Sequence, residues 1–313
     1  MNQFQQRTSV GIESVKPAEA FSEMRCFVER ACNRLPTSGC AAIQVYLEHR
    51  GTHEAAIRQD LLPLFVYHAV VGQDYRAAIP LASAWALSLA ASHTMNRIQD
   101  TEQNRQQSLA EMNQAAVALG IADIALANLE VEVDTLRDIL DAMGRTTALA
   151  ANAQSWELQQ GRTWTRRQYL GYVASKSASI IATGAWMGGR LATDDGRTLQ
   201  MLKEFGLALG MAMQIADDCL DLVPDLMSGT HTLPVIEGLL MEHHPDHALL
   251  KRLINRPALG REEAEAAAAL LEEMGAVNAS RRVVQAYQAQ AAAIFGLFPA
   301  MEHYFGSAYH APG

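Results

Sequence analysis

The sequence predicts an all-α protein, and three observations carry that expectation. Apolar residues return at three- and four-residue steps over long stretches, as Leu199, Leu202, Phe205, Leu209 and Met213 do; this is the period of a buried helix face. No window alternates apolar and polar residues with period two over any length, so no sheet is expected. Of the 313 residues, 49% are hydrophobic, and Pro and Gly are not clustered, a helical composition with ample core.

Taken in order, residues 1–16 are polar and expected to fray, as a flexible N-terminus. A helix is predicted over 17–35 with Phe21, Met24, Phe27, Val28 and Cys32 inward, then a short helix over 41–49 and a longer one from Gly51 to Gly72. The next helix, 80–105, is small and apolar in its first half and turns polar at His93. Residues 108–143 read as one or two helices, with Gly120 as the candidate break, and 145–160 as another. Residues 161–165 turn, and 166–192 form a long helix with Tyr169, Val173, Ile180 and Trp186 inward. The helix after it runs to a cluster of carboxylates, a loop is expected over 224–232, and helices over 262–274 and 279–298 close the chain. With no repeat, low-complexity tract or linker, residues 17–313 are expected to form a single domain.

The stretch FGLALGMAMQIADDCLDLVP, Phe205 to Pro224, stands out chemically. Asp217 and Asp221 are four apart and Asp218 and Asp221 three, so one turn is expected to present all three to one side, with Gln214 a turn earlier. Pro224 is expected to stop the helix. Like charges at this spacing repel, and acids at a helix C-terminus oppose the dipole. A bound cation is the simplest compensation, and clustered carboxylate oxygens suit a hard ion such as Mg2+ held with waters and substrate phosphates. The alternative is a solvated acidic face, which the apolar turns before it disfavour.

The balance of charge is −9, which argues against nucleic acid and anionic membranes as partners. Cys26, Cys32, Cys40 and Cys219 show no zinc spacing and read as reduced thiols. The N-terminal residues lack a signal pattern and no run reaches the apolar length of a membrane span, so a soluble cytoplasmic protein with no integral membrane segment is expected.

Residues Gly210 to Asp221, GMAMQIADDCLD, resemble the second aspartate-rich motif of the polyprenyl synthetase family, the trans-isoprenyl diphosphate synthases, in which a Gln shortly precedes D-D-x-x-D. The resemblance extends from about residue 40 onward. Lys176-Ser177 is similar to the family's Lys-Thr element, and Gln154 and Glu157 to its Gln-x-x-Asp element. Thr232, Leu233 and Pro234 keep its Thr-Leu-Pro. Other features depart from it. The first aspartate-rich motif, D-D-x-x-D followed by two arginines, is replaced by Asn96-Arg97-Ile98-Gln99-Asp100, with Arg105 and Gln106 for the arginine pair. The Gly-Lys-Arg-x-Arg-Pro segment that holds isopentenyl diphosphate aligns with IRQDLLP, where Gln59, Asp60 and Leu62 replace the cations and Arg58 is adjacent. The loop after the second motif, Val223 to Thr232, is short and carries no lysine.

The resemblance implies the isoprenoid synthase fold, an all-α bundle around a central cavity. It implies Mg2+ as cofactor, held by Asp217, Asp218 and Asp221 with Asp100 as a further ligand, and an allylic isoprenoid diphosphate as substrate. Asp217, Asp218 and Lys176 are the expected catalytic residues; Arg105, Lys176, Gln214, Arg97 and Gln154 are the expected substrate-binding ones. The function expected is a divergent prenyltransferase that ionises an allylic diphosphate at the second motif, acting as a homodimer or with an active synthase subunit. Its alternatives are an impaired isoprenoid-binding or regulatory subunit and a terpene cyclase of the same fold. The small residues Ser88, Ala91 and Ser92 are expected to line a hydrocarbon tunnel with Trp85 as its floor, or else to let two helices pack closely.

Overall fold

The computed structural model describes residues 15–33, 59–100, 104–160, 164–256, 258–294 and 297–305, and every regular element among them is helical. The helices predicted over 41–49 and over the first part of 51–72 fall outside the described residues, as do residues 1–14 and Arg58. The chain divides into two compact units, built from 1–140, 184–200 and 295–310, and from 141–183, 201–294 and 311–313.

The first unit begins with α1 (Pro17–Cys32), which buries Phe21, Met24, Val28 and Cys32 and leaves Phe27 half-buried. Val15, expected to fray, is buried instead. A 3₁₀ turn (Gln59–Leu61) leads into α2 (Leu62–Val71), which has Pro63 in its first turn and is capped by Gly72. Gly72 takes φ 68°, a left-handed conformation that glycine adopts at little cost, and its N–H returns to the His68 carbonyl. α3 (Ile79–Asp100) buries an almost continuous run from Leu81 to Leu87. Small side chains on that run let α4 (Arg105–Leu126) lie along it, burying Ala115, Ala118, Ala122 and Ala125. Trp85 is fixed from two sides: its Nε1–H donates to the Gln59 carbonyl at 2.8 Å, and its ring lies over Gly184. The short α14 (Pro299–Phe305) closes on α2, with Tyr304 stacked on Phe65 at 4.4 Å between ring centres. The Tyr304 hydroxyl meets His68 Nδ1 at 2.7 Å and accepts from the Val15 N–H at 3.2 Å.

Residues 133–160 form one helix, α5 (Val133–Gln160), where a boundary near 143–145 was expected. Gly120 lies inside α4 and the break falls at 127–132. A helical glycine costs only about 1 kcal/mol relative to Ala, which packing against α3 outweighs. By length and composition α4 is also long and apolar enough to cross a membrane, at mean hydropathy 1.3, although the sequence suggested no such run. It carries Glu111 and Asp123, and packs on α3.

The second unit contains α6 (Arg166–Val173), a π turn (Ala174–Ala178) and the start of α7 (Ser179–Ala192). Thr165 caps α6 in a capping box with Gln168. Then come α8 (Gly196–Leu220), in this unit from Met201 on, α9 (Leu222–Ser228), α10 (Leu233–Leu240), α11 (His247–Ile254), α12 (Arg261–Glu273) and α13 (Ala276–Ala292). One core joins Tyr169 and Val173 to Met211, Ile215, Leu233 and Ile236; another joins Leu226 and Val235 to Leu250, Leu271 and Val277. Ile180, Trp186 and Met213, expected inward, are half-buried.

The loop expected over 224–232 is α9 over most of its length. Pro224, expected to end α8, instead sits in the first turn of α9. Proline is tolerated there because first-turn N–H groups have no intrahelical acceptor.

Candidate functional site

The carboxylate turn is where α8 gives way to α9. α8 ends at Leu220, and Asp221 is the junction residue, with φ −91° and ψ 17°. Its N–H still bonds the Asp217 carbonyl at 2.8 Å, and its own carbonyl accepts from Asp225 N–H at 2.9 Å. α8 thus ends one residue before Asp221, while the four-residue backbone bonds on either side of it keep the helical spacing across the junction. Among the described residues, no three acidic, His or Cys side chains form a preformed metal cage.

The three carboxylates differ. Asp218 is 7% exposed, and its Oδ1 accepts from Gln214 Nε2 at 3.0 Å. Asp217 and Asp221 are exposed. Protein packed around Asp217 removes part of its hydration and Asp221 adds a like charge, which together raise the Asp217 carboxyl above the ordinary aspartate range. Burial, reinforced by Asp218, pushes the Cys219 thiol up to about 11, so it stays protonated at neutral pH.

Gln214 is held in turn. Ser177 Oγ donates to Gln214 Oε1 at 2.7 Å. Two glycines make that reach possible. A Cβ on Gly206 would stand 2.6 Å from Ala182 Cα, and one on Gly210 would stand 2.6 Å from Ala178 Cα, so α8 crosses the 178–182 backbone at a distance that side chains would forbid.

Lys176 lies in the π turn rather than in the regular helix expected, half-buried, with Nζ 5.1 Å from the centre of the Tyr172 ring. π turns are rare and concentrate at functional sites. The ammonium is therefore not an isolated charge on an apolar face: an aromatic ring stands beneath it. That ring continues into a chain of aromatics, Tyr172 to Trp164 at 4.7 Å and Trp164 to Trp156 at 4.6 Å. Sequence reasoning did not single out these three; the four-residue step from Tyr172 to Lys176 was the available signal.

Gln154 is 6% exposed, and among the described residues its Oε1 meets no hydrogen-bond partner. The hydroxyls of Tyr169 and Thr232, 3% and 6% exposed, likewise meet no partner among the described residues. Buried polar atoms of this kind are uncommon and call for a water or a ligand. All three belong to the same compact unit as the carboxylate turn.

In the first unit, Asp100 is the last residue of α3 and Arg105 the first of α4. Arg105 is exposed, and Asn104 caps its helix by accepting from Gln106 N–H at 2.9 Å. Arg97, expected to meet a diphosphate directly, is exposed and donates to Glu111 at 3.1 Å, a carboxylate that partly neutralises it. Asp60 is 2% exposed, so it presents no charge at a surface. His93 and His243 are exposed, and His244 lies 3.8 Å from Asp246.

The family model for polyprenyl synthetases matches residues 62–273. A nonaprenyl diphosphate synthase of Mycobacterium tuberculosis is 32% identical over 143 residues, spanning 42% of this chain and 42% of that relative. A geranylgeranyl diphosphate synthase of Methanosarcina mazei is 24% identical over 243 residues, 69% of this chain and 72% of the relative. The chain thus matches less than half the length of the first of these. Among solved structures, a geranylgeranyl pyrophosphate synthetase from Geoglobus acetivorans superposes with a TM-score of 0.79 at 19% identity, covering 93% of this chain and 97% of that one. A polyprenyl synthase from Caulobacter crescentus, complexed with calcium and isoprenyl diphosphate, gives 0.74 at 22% identity, covering 93% and 96%. These likenesses give the fold as the all-α isoprenoid synthase fold. With the match over residues 62–273, they make the chain a member of the polyprenyl synthetase family.

Proposed function

We propose that this chain is a prenyltransferase that binds an allylic isoprenoid diphosphate with Mg2+ at the carboxylate turn and promotes departure of the diphosphate. The observation that carries the reading is the organised state of that turn: Asp218 is buried and oriented by Gln214, Asp217 and Asp221 stay open to solvent, and the unit keeps unsatisfied buried oxygens. The donor set fits a hard cation, because Mg2+ is held by one or two carboxylates and takes its other oxygens from water and phosphate, with no closed cage required. A related fold has been solved with calcium and isoprenyl diphosphate, the same pairing of hard ion and diphosphate.

Asp217, Asp218 and Asp221 would hold the ion. When bound, the ion would stabilise negative charge developing on the leaving oxygens. Lys176 supplies a positive charge to the diphosphate, aimed by its place over Tyr172. Gln154 offers a buried amide to a polar group of the ligand. The retained second motif favours transfer over a purely regulatory or binding role, and the replaced cations at Gln59, Asp60 and Leu62 favour an acceptor other than isopentenyl diphosphate.

The reading also makes the protein a cytoplasmic homodimer. Among the described residues, Cys26 and Cys219 are free thiols, which suit a reducing compartment. Leu109 and Met112 on α4 are 51% and 52% exposed, and Val133 is 71% exposed, apolar surface suited to a second copy.

The test is incubation with labelled geranyl, farnesyl and geranylgeranyl diphosphates and Mg2+, following diphosphate release with and without isopentenyl diphosphate. Metal-dependent release from at least one of the three is expected, and is lost in Asp217→Ala/Asp218→Ala. No release from any of them under both conditions would overturn the proposal.

A further inference from the structure

We infer that Ser177 and Gln214 act as a positioning relay that sets the orientation of the Asp218 carboxylate, with Ser177 acting only through Gln214. The inference rests on the reading of the carboxylate turn as a metal site and goes beyond it by assigning Gln214 to Asp218 rather than to substrate.

The chemistry of the two bonds fixes their direction. The Ser177 hydroxyl donates to Gln214 Oε1 at 2.7 Å, and Gln214 Nε2 donates to Asp218 Oδ1 at 3.0 Å. A primary amide has one accepting and one donating end. Anchoring the oxygen on Ser177 leaves the NH2 facing the carboxylate; the flipped amide would set two oxygens against each other. Ser177 therefore determines which end of Gln214 Asp218 meets. The bond from Gln214 pins Asp218 Oδ1, and the carboxylate is 7% exposed, so its rotation is confined.

Two backbone features serve the same contact. Ser177 belongs to the π turn at 174–178, whose extra residue changes the direction its side chain takes relative to a regular helix. Gly206 and Gly210 let α8 approach close enough for the bond to form. Residues that orient a metal ligand typically change metal affinity by about 10–100-fold when lost.

The experiment uses Mn2+ as a paramagnetic probe, titrated in the presence of inorganic diphosphate and followed by electron paramagnetic resonance. The proteins are the wild type, Ser177→Ala, Gln214→Met, the double variant and Ser177→Thr, each checked for helical content by circular dichroism. Gln214→Met is expected to weaken Mn2+ binding by about 10–100-fold. Ser177→Ala should weaken it by about three- to tenfold, the effect of one hydrogen bond. The double variant should bind no more weakly than Gln214→Met alone, and Ser177→Thr, which keeps the hydroxyl, should bind as the wild type does. Unchanged affinity in Gln214→Met overturns the relay alone, leaving the metal site standing. An additive loss in the double variant also overturns it, because Ser177 would then act on the ligand directly. A wild type that binds no Mn2+ overturns the metal reading and the relay with it. Should Gln214→Met not fold, Ser177→Ala decides: unchanged affinity overturns the relay, and a loss that Ser177→Thr restores supports it.

Discussion

Asp217 carries the least favourable charge of the carboxylate turn. It is partly stripped of hydration and lies beside Asp221. A like-charge pair at this helical spacing costs about 0.2–0.5 kcal/mol. Asp217→Asn should therefore raise the thermal midpoint of the metal-free protein slightly, while abolishing the upward shift expected when Mg2+ and diphosphate bind to the native state alone. Differential scanning fluorimetry reads both, and a wild type unmoved by a large ligand excess would remove the metal from the account. His68 makes a second residue-scale prediction, about pH. Burial lowers its pKa below the ordinary value near 6.5, so the native state favours the neutral ring. The contribution is complete above that ordinary value and is lost as pH falls through the lowered one, because the unfolded chain binds the proton first. Stability should fall between pH 7 and 5 more steeply in the wild type than in His68→Gln, as thermal scans would show. Tyr304→Phe removes the hydroxyl that meets both His68 and the Val15 N–H and should cost about 1–2 kcal/mol. At this scale Asp217, Asp218, Asp221 and Gln214 were legible in the sequence, because spacing and residue type alone single them out. The bond from Ser177 to Gln214 was not: the partners are 37 positions apart, and only a tertiary crossing brings them together.

The crossing of α8 over the 178–182 backbone shows what a helix period cannot tell. Periodicity located the buried face of α8 and most of its apolar residues. It could not distinguish Gly206 and Gly210, which permit a close approach, from Gly120, where an added Cβ would meet no neighbouring element within 4 Å among the described residues. The two kinds of glycine should respond oppositely to alanine. Gly120→Ala gains helix propensity with no clash and should stabilise the protein by up to about 1 kcal/mol. Gly210→Ala gains the same propensity but forces a Cβ to 2.6 Å from Ala178 Cα, a backbone atom. Overpacking of this kind typically costs about 1–3 kcal/mol, so the clash wins and the midpoint in denaturant should fall. Equal shifts for the two variants would mean that the crossing yields without cost. The same limit explains the missed elements. α9 begins with Leu222, Val223 and Pro224, too short a run for any periodic pattern, and a proline reads as a stop unless its place in a first turn is known. α5 is continuous through Gly144, whose Cβ would also meet nothing, so the chain had no steric reason to break there.

For the whole molecule, the balance between what is kept and what is replaced sets the chemistry. The second motif, Lys176 and Thr232-Leu233-Pro234 are present, whereas the segment expected to hold isopentenyl diphosphate offers Gln59, a buried Asp60 and Leu62 in place of cations. Asp60 is buried, so it offers that ligand no attraction. Isopentenyl diphosphate alone should therefore bind weakly, and calorimetry showing tight association would refute this. The family and its helical class were readable because one short motif is specific and the helical period is pervasive. Assembly was less so, since it depends on which apolar residues the fold leaves outside. Leu109 and Met112 are three apart on α4 and stand half in solvent although the rest of that helix buries a full face against α3. Left in water, side chains of this size forgo about 1.5–3 kcal/mol each relative to burial. A two-fold interface would recover that twice, because each residue appears once per copy. Light scattering after gel filtration should then report twice the 34.1 kDa of the chain. Leu109→Lys/Met112→Lys should shift it toward the single-chain mass by placing like charges across the axis, with helical content unchanged. A wild type of single-chain mass, or a double variant that stays paired, would mean that this face of α4 does not hold two copies together.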